Sequence, residues 1–159
     1  MEDRGLFQLG MDLSAGTTQT EEHVLASVAH ETTEKKDHFI RKNGKVYAGT
    51  HLIIEVIGGE GLNDEERIRQ AFLDSIRACG ATLLHIHTHK FTPQGVSGVA
   101  VLAESHISVH TWPEAGYGAF DVFMCGEADP WKAVPILKEA FKARDVRVTE
   151  ILRGEGIVE

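Results

Sequence analysis

Hydrophobic and polar positions fall into a regular pattern only from about Tyr47 onward. Thr50 to Ile57 (THLIIEVI) is rich in β-branched residues and predicts a strand. Asn63 then stands as an N-cap with Glu66 three positions on, the spacing of a capping box. The helix that follows gathers Ile68, Phe72, Ile76 and Cys79 on one face, and Gly80 stops it. Ala81 to His89 alternates loosely and predicts a second strand, followed by a loop over Phe91 to Gly98 (FTPQGVSG). Three more strands are predicted over Val99–Ala103, Ile107–Trp112 and Tyr117–Met124, with a turn at Pro113–Gly116. Asp129-Pro130 supplies an N-cap and a first-turn proline for a helix burying Trp131, Val134, Leu137 and Phe141, which Pro135 is expected to bend. Val146 to Leu152 makes the last strand.

The order β-α-β-β-β-β-α-β predicts an α+β fold, a two-layer α/β protomer with helices on one face of a mostly antiparallel sheet. Two helices cover only one face. The other carries His106, Ser108, His110 and Trp112, alternating along one strand. A polar-aromatic face of this kind is expected to pack on a second sheet, which predicts a homodimer.

Residues 1 to 45 hold no sustained period, and residues 46–159 form the patterned domain. Up to residue 40 the charges are eight acids against Arg4, Lys35 and Lys36, the composition of a solvated, flexible extension. Within it Val24–Val28 can form a helical turn. The whole chain of 159 residues carries a net charge of −8, which argues against nucleic acid or an anionic membrane as the main partner. No apolar run approaches the roughly 18 residues needed to span a bilayer. The start, Met-Glu-Asp-Arg, lacks the layout of a secretory signal. Cys79 and Cys125 are the only cysteines, too few for a disulfide scaffold. Together these predict a cytoplasmic protein.

Reactive side chains crowd between Phe91 and Cys125. His85, His87 and His89 share one face of a strand and, with Glu104 or Glu114, suggest a metal site. Ligands strung along one strand suit a single ion poorly, so polar spacers are the better reading and no metal is expected. A second possibility is nucleophilic catalysis with His110 as base for Cys125 or Ser105. There is no Gly-x-Ser-x-Gly elbow and no Cys-x-x-Cys to choose between them.

A more specific signal runs from Gly95 to Gly126, GVSGVAVLAESHISVHTWPEAGYGAFDVFMCG. It resembles the prokaryotic S-adenosylmethionine decarboxylase proenzymes in four features, in order and at the family's spacing. These are a Gly-Val-Ser-Gly loop, a Glu-Ser-His cleavage site, a His-Thr-Trp-Pro-Glu strand end and a Phe-x-Cys-Gly strand end. Gly49-Thr50-His51-Leu52, Gly80-Ala81-Thr82 and Asp129-Pro130-Trp131-Lys132-Ala133 agree with it, so that it covers about residues 46 to 153.

The resemblance implies a chain that makes its own pyruvoyl cofactor. Ser105 would attack the Glu104 carbonyl, and His110 would take the Ser105 α-proton so that the resulting ester eliminates. Ser97 would assist processing, and His106 would shape the cleavage site. The products would be residues 1–104 (β chain) and 105–159 (α chain), folded together. The pyruvoyl ketone would form a Schiff base with S-adenosylmethionine and withdraw electrons as carbon dioxide leaves, with Cys125 as proton donor. Decarboxylated S-adenosylmethionine would supply the aminopropyl group of spermidine. Phe91 and Trp112 would flank adenine and Glu114 would bind ribose. The family's dimer, a four-layer αββα sandwich sharing its sites across the interface, agrees with the uncovered face.

The chain departs from the family at Ala115, where an aromatic is frequent, and at Tyr117-Gly118-Ala119-Phe120. Both lie beside the expected pocket, so arginine or ornithine stands as the runner-up substrate for the same chemistry. An unprocessed homologue that binds a nucleoside or regulates a partner is the rival from another class.

Overall fold

The computed structural model describes residues 38–158. The expected helical turn at Val24–Val28, and residues 1–37 of the flexible extension expected over residues 1–45, lie outside them; from Ile40 to Lys45 that extension is folded instead. A short hairpin comes first, β1 (Ile40–Lys42) and β2 (Lys45–Tyr47). The pattern analysis missed it, although its turn is Asn43-Gly44. Both residues take positive φ, 53° and 74°, as a tight two-residue hairpin requires.

Six strands then form one antiparallel sheet: β3 (Gly49–Ile57), β4 (Leu83–Lys90), β5 (Val96–Leu102), β6 (Ser105–Trp112), β7 (Tyr117–Met124) and β8 (Asp145–Arg153). Their order across the sheet is β4-β5-β6-β7-β3-β8. Helices α1 (Glu65–Cys79) and α2 (Ala133–Ala140) pack on one face. The α+β class is as predicted, and after the first hairpin the strands and α-helices follow the predicted order.

Alternation explains the layering. Leu52, Ile54 and Val56 of β3 are fully buried, as are Ile107 of β6 and Val122 and Met124 of β7. They meet Ile68, Phe72 and Ile76 from α1 and Leu137 with Phe141 from the end of α2. Intervening residues point to the opposite face, where no helix lies, and stay partly open.

Local details shift from the sequence expectations for identifiable reasons. The N-cap of α1 is Asp64, whose side chain accepts from the Arg67 amide at 3.1 Å, so the predicted Asn63–Glu66 capping box does not form. Asn63 Oδ1 accepts instead from the Gly95 amide at 2.9 Å and ties down the approach to β5. That strand begins at Val96, so Ser97 sits on a strand rather than in the predicted loop. β6 likewise begins at Ser105, two residues early.

At the second helix, Asp129 caps a 3₁₀ turn over Pro130–Lys132 before α2 proper starts at Ala133. Pro135 therefore falls in the first α-helical turn, where an amide has no intrahelical partner, and no bend is needed. Trp131 is 42% exposed rather than buried, with its indole N–H donating to Glu150. Leu137 and Phe141 are buried as predicted, and Val134 partly so.

Gly49 opens β3 where it passes β7 near Cys125. A Cβ there would lie 2.6 Å from Phe123 Cε2 and 2.7 Å from the Met124 carbonyl oxygen. Backbone cannot yield as a side-chain tip can, so Gly49→Ala should cost about 1–3 kcal/mol, the usual range for overpacking. Urea unfolding of the variant checks this; an unchanged midpoint would contradict it.

Candidate active site

The open face carries two groups of polar and aromatic side chains at opposite ends of β6. The first surrounds the turn between β5 and β6. Leu102 pairs with Ser105, so the loop is only Ala103-Glu104. Two-residue hairpins normally place positive φ on a central residue to match strand twist. Neither Ala103 nor Glu104 has it; Ser105 takes φ 142° instead, a region almost reserved for glycine.

Surrounding contacts hold this geometry. The Glu104 carboxylate accepts from the Thr82 amide at 3.0 Å and from the Thr82 hydroxyl at 3.3 Å. The Ala103 amide donates back to the Thr82 carbonyl at 3.0 Å. The Glu104 carbonyl oxygen accepts from the Cys125 amide at 2.9 Å. That donor polarises the Glu104–Ser105 peptide and is aimed where negative charge would gather if the carbonyl were attacked. Ser105 Oγ lies 2.8 Å from His106 Nδ1. The Cys125 thiol is half-buried beside the turn, and burial, reinforced by the Glu104 charge, pushes its pKa above the ordinary value. A thiol so placed holds its proton more tightly than a free one. Cys79, the other cysteine, belongs to the core.

The second group lies toward the far end of β6. Ser97 pairs with His110 across the β5–β6 ladder, and its hydroxyl is 2.6 Å from His110 Nδ1. An aromatic row runs from Phe91 to His110 (5.6 Å between ring centres), on to Trp112 (4.5 Å) and to Tyr117 (5.3 Å, stacked). Phe91 and Trp112 are each 40% exposed, so their faces are available to a planar ligand. The Tyr117 hydroxyl donates to Glu55, which pushes its pKa up to about 12 and fixes the ring against Trp112. Glu114 sits exposed in the turn after Trp112. A shallow cavity of about 260 Å³ borders this group, lined by His87, His89, Ser97, Gly98, Val99 and Val109. A larger hollow of about 670 Å³ lies beside the start of α1, between Gly59–Glu66, Lys90 and Pro113, away from Ser105.

Of the sequence candidates, Glu104, Ser105 and Cys125 thus come together, and Ser97, His110, Phe91 and Trp112 come together separately. Five residues of strand, about 16 Å, separate Ser105 from His110. His85, His87 and His89 stay strung along edge strand β4. The cluster with metal-like spacing among the described residues is a different one, His51, His106 and Asp121. Sequence reasoning gave no role to His51 and Thr82, which it quoted only within motifs, and missed Asp121, Glu55 and the packing role of Tyr117. Asp121 had a signal, as the lone charge in YGAFDVFM.

Comparisons with known proteins point one way. Residues 50–154 match the family model described as S-adenosylmethionine decarboxylase. Relatives named S-adenosylmethionine decarboxylase proenzyme include those of Methanococcus maripaludis and Moorella thermoacetica. Each is 50% identical over 109 residues, 67% of this chain and 89% or 87% of the relative. The crystal structure of the adenosylmethionine decarboxylase from Aquifex aeolicus superposes with a TM-score of 0.64 at 31% identity, covering 71% of this chain and 94% of that one. The motifs from Gly95 to Gly126, the antiparallel sheet with two helices and these matches have one common reading: the chain belongs to the S-adenosylmethionine decarboxylase family.

Proposed function

We propose that the chain cuts itself between Glu104 and Ser105 and then decarboxylates S-adenosylmethionine, as a pyruvoyl-dependent lyase. The observation that carries this reading is the Glu104–Ser105 junction: a serine at φ 142° whose preceding carbonyl already accepts the Cys125 amide. Strain of that kind costs about 1–3 kcal/mol and is relieved when the peptide opens. These residues suit a pyruvoyl group, which would arise at position 105. Once formed, the group supplies an electron sink for the carbon dioxide-releasing step.

The chain's own residues do the rest. The Cys125 amide holds the Glu104 carbonyl oxygen, and the thiol of the same residue returns a proton to substrate carbon. Phe91 and Trp112 offer faces for adenine and attraction for a sulfonium cation. Glu114 is the carboxylate for ribose hydroxyls. The Tyr117 ring, tied through its hydroxyl to Glu55, stacks on Trp112 and backs that face. The relatives described above bear the S-adenosylmethionine name, which supports that substrate over arginine or ornithine. Among the described residues no helix is long and apolar enough to cross a membrane.

The separation of Ser105 from His110 is resolved by a homodimer, with the open faces packed together. A two-fold axis lying between the sheets and crossing β6 between Ile107 and Ser108 brings Ser105 level with the partner's His110. The exposed Val99, Val101 and Ile151 of the open face give such an interface apolar surface.

Intact mass spectrometry of the denatured protein tests the cleavage. Two chains are expected, 1–104 and 105–159, of about 11 and 6 kDa by their share of 17.5 kDa. The smaller should be about 17 Da lighter than a serine-started peptide, because a ketone replaces the amine. Ser105→Ala should remain whole and release no carbon dioxide from S-adenosylmethionine. A whole wild-type chain would sink the proposal.

The shared site makes a separate prediction. Ser105→Ala and His110→Ala chains are each inert alone, but unfolded and refolded together in equal amounts about a quarter of all chains should be cleaved, all of them His110→Ala chains. No cleavage on mixing would rule out sharing.

Cys125→Ala keeps its backbone amide and should still self-cleave, while decarboxylation falls about 100-fold or more. Because the acid is a thiol with a raised pKa, wild-type turnover should persist through neutral pH and fall only on the alkaline side. A rate that climbs with pH through the ordinary thiol range would contradict that role.

A further inference from the structure

Asp121 lies at the centre of the open face, opposite Ser108 in the β6–β7 ladder. Its Oδ2 accepts from the Ser108 hydroxyl at 2.7 Å. Its Oδ1 lies 2.9 Å from His106 Nε2 and 3.4 Å from His51 Nε2. On the far side of His51, Arg153 Nη1 is 2.9 Å from Nδ1.

The polarity of this chain of groups can be worked out from either end. A guanidinium only donates, so His51 Nδ1 accepts and its proton is on Nε2, toward Asp121. A carboxylate presents only lone pairs, and its Oδ1 lies 2.9 Å from His106 Nε2, too bent for a hydrogen bond but close enough to favour a proton on that nitrogen over a second lone pair. His106 Nδ1 is left with its lone pair, and the group beside it is Ser105 Oγ at 2.8 Å. The serine hydroxyl therefore donates to His106.

We infer that His106 is the base that activates Ser105 for self-cleavage, with Asp121 and His51 as positioning residues. The inference deepens the proposed self-cleavage and rests on it. The Ser105 hydroxyl proton passes to His106 Nδ1 as Oγ bonds to the Glu104 carbonyl carbon, whose oxygen becomes an alkoxide facing the Cys125 amide. When the C–N bond breaks, the Ser105 nitrogen takes the proton back from His106. The carbonyl re-forms as an ester, leaving a free amine, and atoms and charge balance. Asp121 stabilises the transient imidazolium. Its Oδ1 is shielded from solvent, and its approaches to the two rings are close but bent, so it gains most when His106 becomes a cation.

The same three residues have metal-like spacing, since their ligand atoms lie within 4.8 Å of one another. A metal would need the lone pair of His51 Nε2. Arg153 already claims the lone pair on Nδ1, which leaves Nε2 protonated.

The assignment divides labour between two histidines: His106 acts before the ester and His110 after it. Hydroxylamine distinguishes the steps, because it cleaves an ester and leaves a hydroxamate at Glu104. The full-length His110→Ala chain should accumulate ester and yield that hydroxamate. His106→Ala/His110→Ala should yield it about 100-fold more slowly, and added imidazole should restore part of the rate. Asp121→Asn/His110→Ala, which keeps the shape of the network, should be slowed about tenfold with its thermal unfolding unchanged.

Hydroxamate forming at an undiminished rate without His106 would overturn the inference while leaving self-cleavage intact. A slowed His106 variant that imidazole does not rescue would reduce His106 to a packing residue, and would also overturn it. Stoichiometric Zn²⁺ retained by the wild-type chain after dialysis, and lost in His51→Ala, would assign the cluster to a metal instead. An uncut wild-type chain would remove the proposed function itself, a different failure.

Discussion

The site depends on how the β5–β6 hairpin is closed. A loop of two residues must reverse a twisted ladder, and one residue must accept an unfavourable dihedral to do it. Ala103 and Glu104 decline, so Ser105 carries φ 142°. Such a conformation persists only where neighbours over-determine it. Thr82 grips the Glu104 carboxylate, the Cys125 amide grips the Glu104 carbonyl, and the β6–β7 ladder holds Ser105 opposite Met124. The strained serine thus follows a carbonyl that already accepts a hydrogen bond, and its hydroxyl lies 2.8 Å from His106 Nδ1.

That arrangement needs a sheet with two different faces. The helix-covered face provides rigidity through Phe72, Phe141 and the buried aliphatics of β3, β6 and β7. The open face provides chemistry, and alternation along the strands keeps the two apart without loops or insertions. His106, Ser108, His110 and Trp112 are successive outward positions of one strand; Ile107, Val109 and Thr111, between them, are core. A one-residue slip of β6 would exchange the two sets, so the core registers the active site.

Much of this was legible in the chain itself. Strand β7 and the apolar face of α1 were read closely, because alternation and helical spacing are strong in Tyr117–Met124 and around Phe72. The start of β5 was not, because Gly95 and Pro93 suggest a loop that the Asn63 tether and the ladder to β6 override. The cap of α1 moved by one residue because Asn63 was recruited elsewhere. Glu104, Ser105 and Cys125 were visible through a motif. His51, Thr82 and Asp121 were not assigned roles, since each is brought to the site by register across strands and not by nearness in sequence. The separation of Ser105 from His110 was hidden because the strand was expected to begin at Ile107, which left Ser105 off β6.

Sheet order also bears on how such a fold would tolerate the proposed cut at its strained peptide. Residues 1–104 hold β3, β4 and β5, and residues 105–159 hold β6, β7 and β8. In the sheet these interleave: β6 lies between β5 and β7, and β3 lies between β7 and β8. Parting the two products would break the β5–β6, β7–β3 and β3–β8 ladders together and expose the core beneath α2. Opening one peptide changes none of these ladders and releases the dihedral strain at residue 105. The strand order would thus keep both products of the proposed cut in one body, with the new chain end still on the strand that pairs with β7.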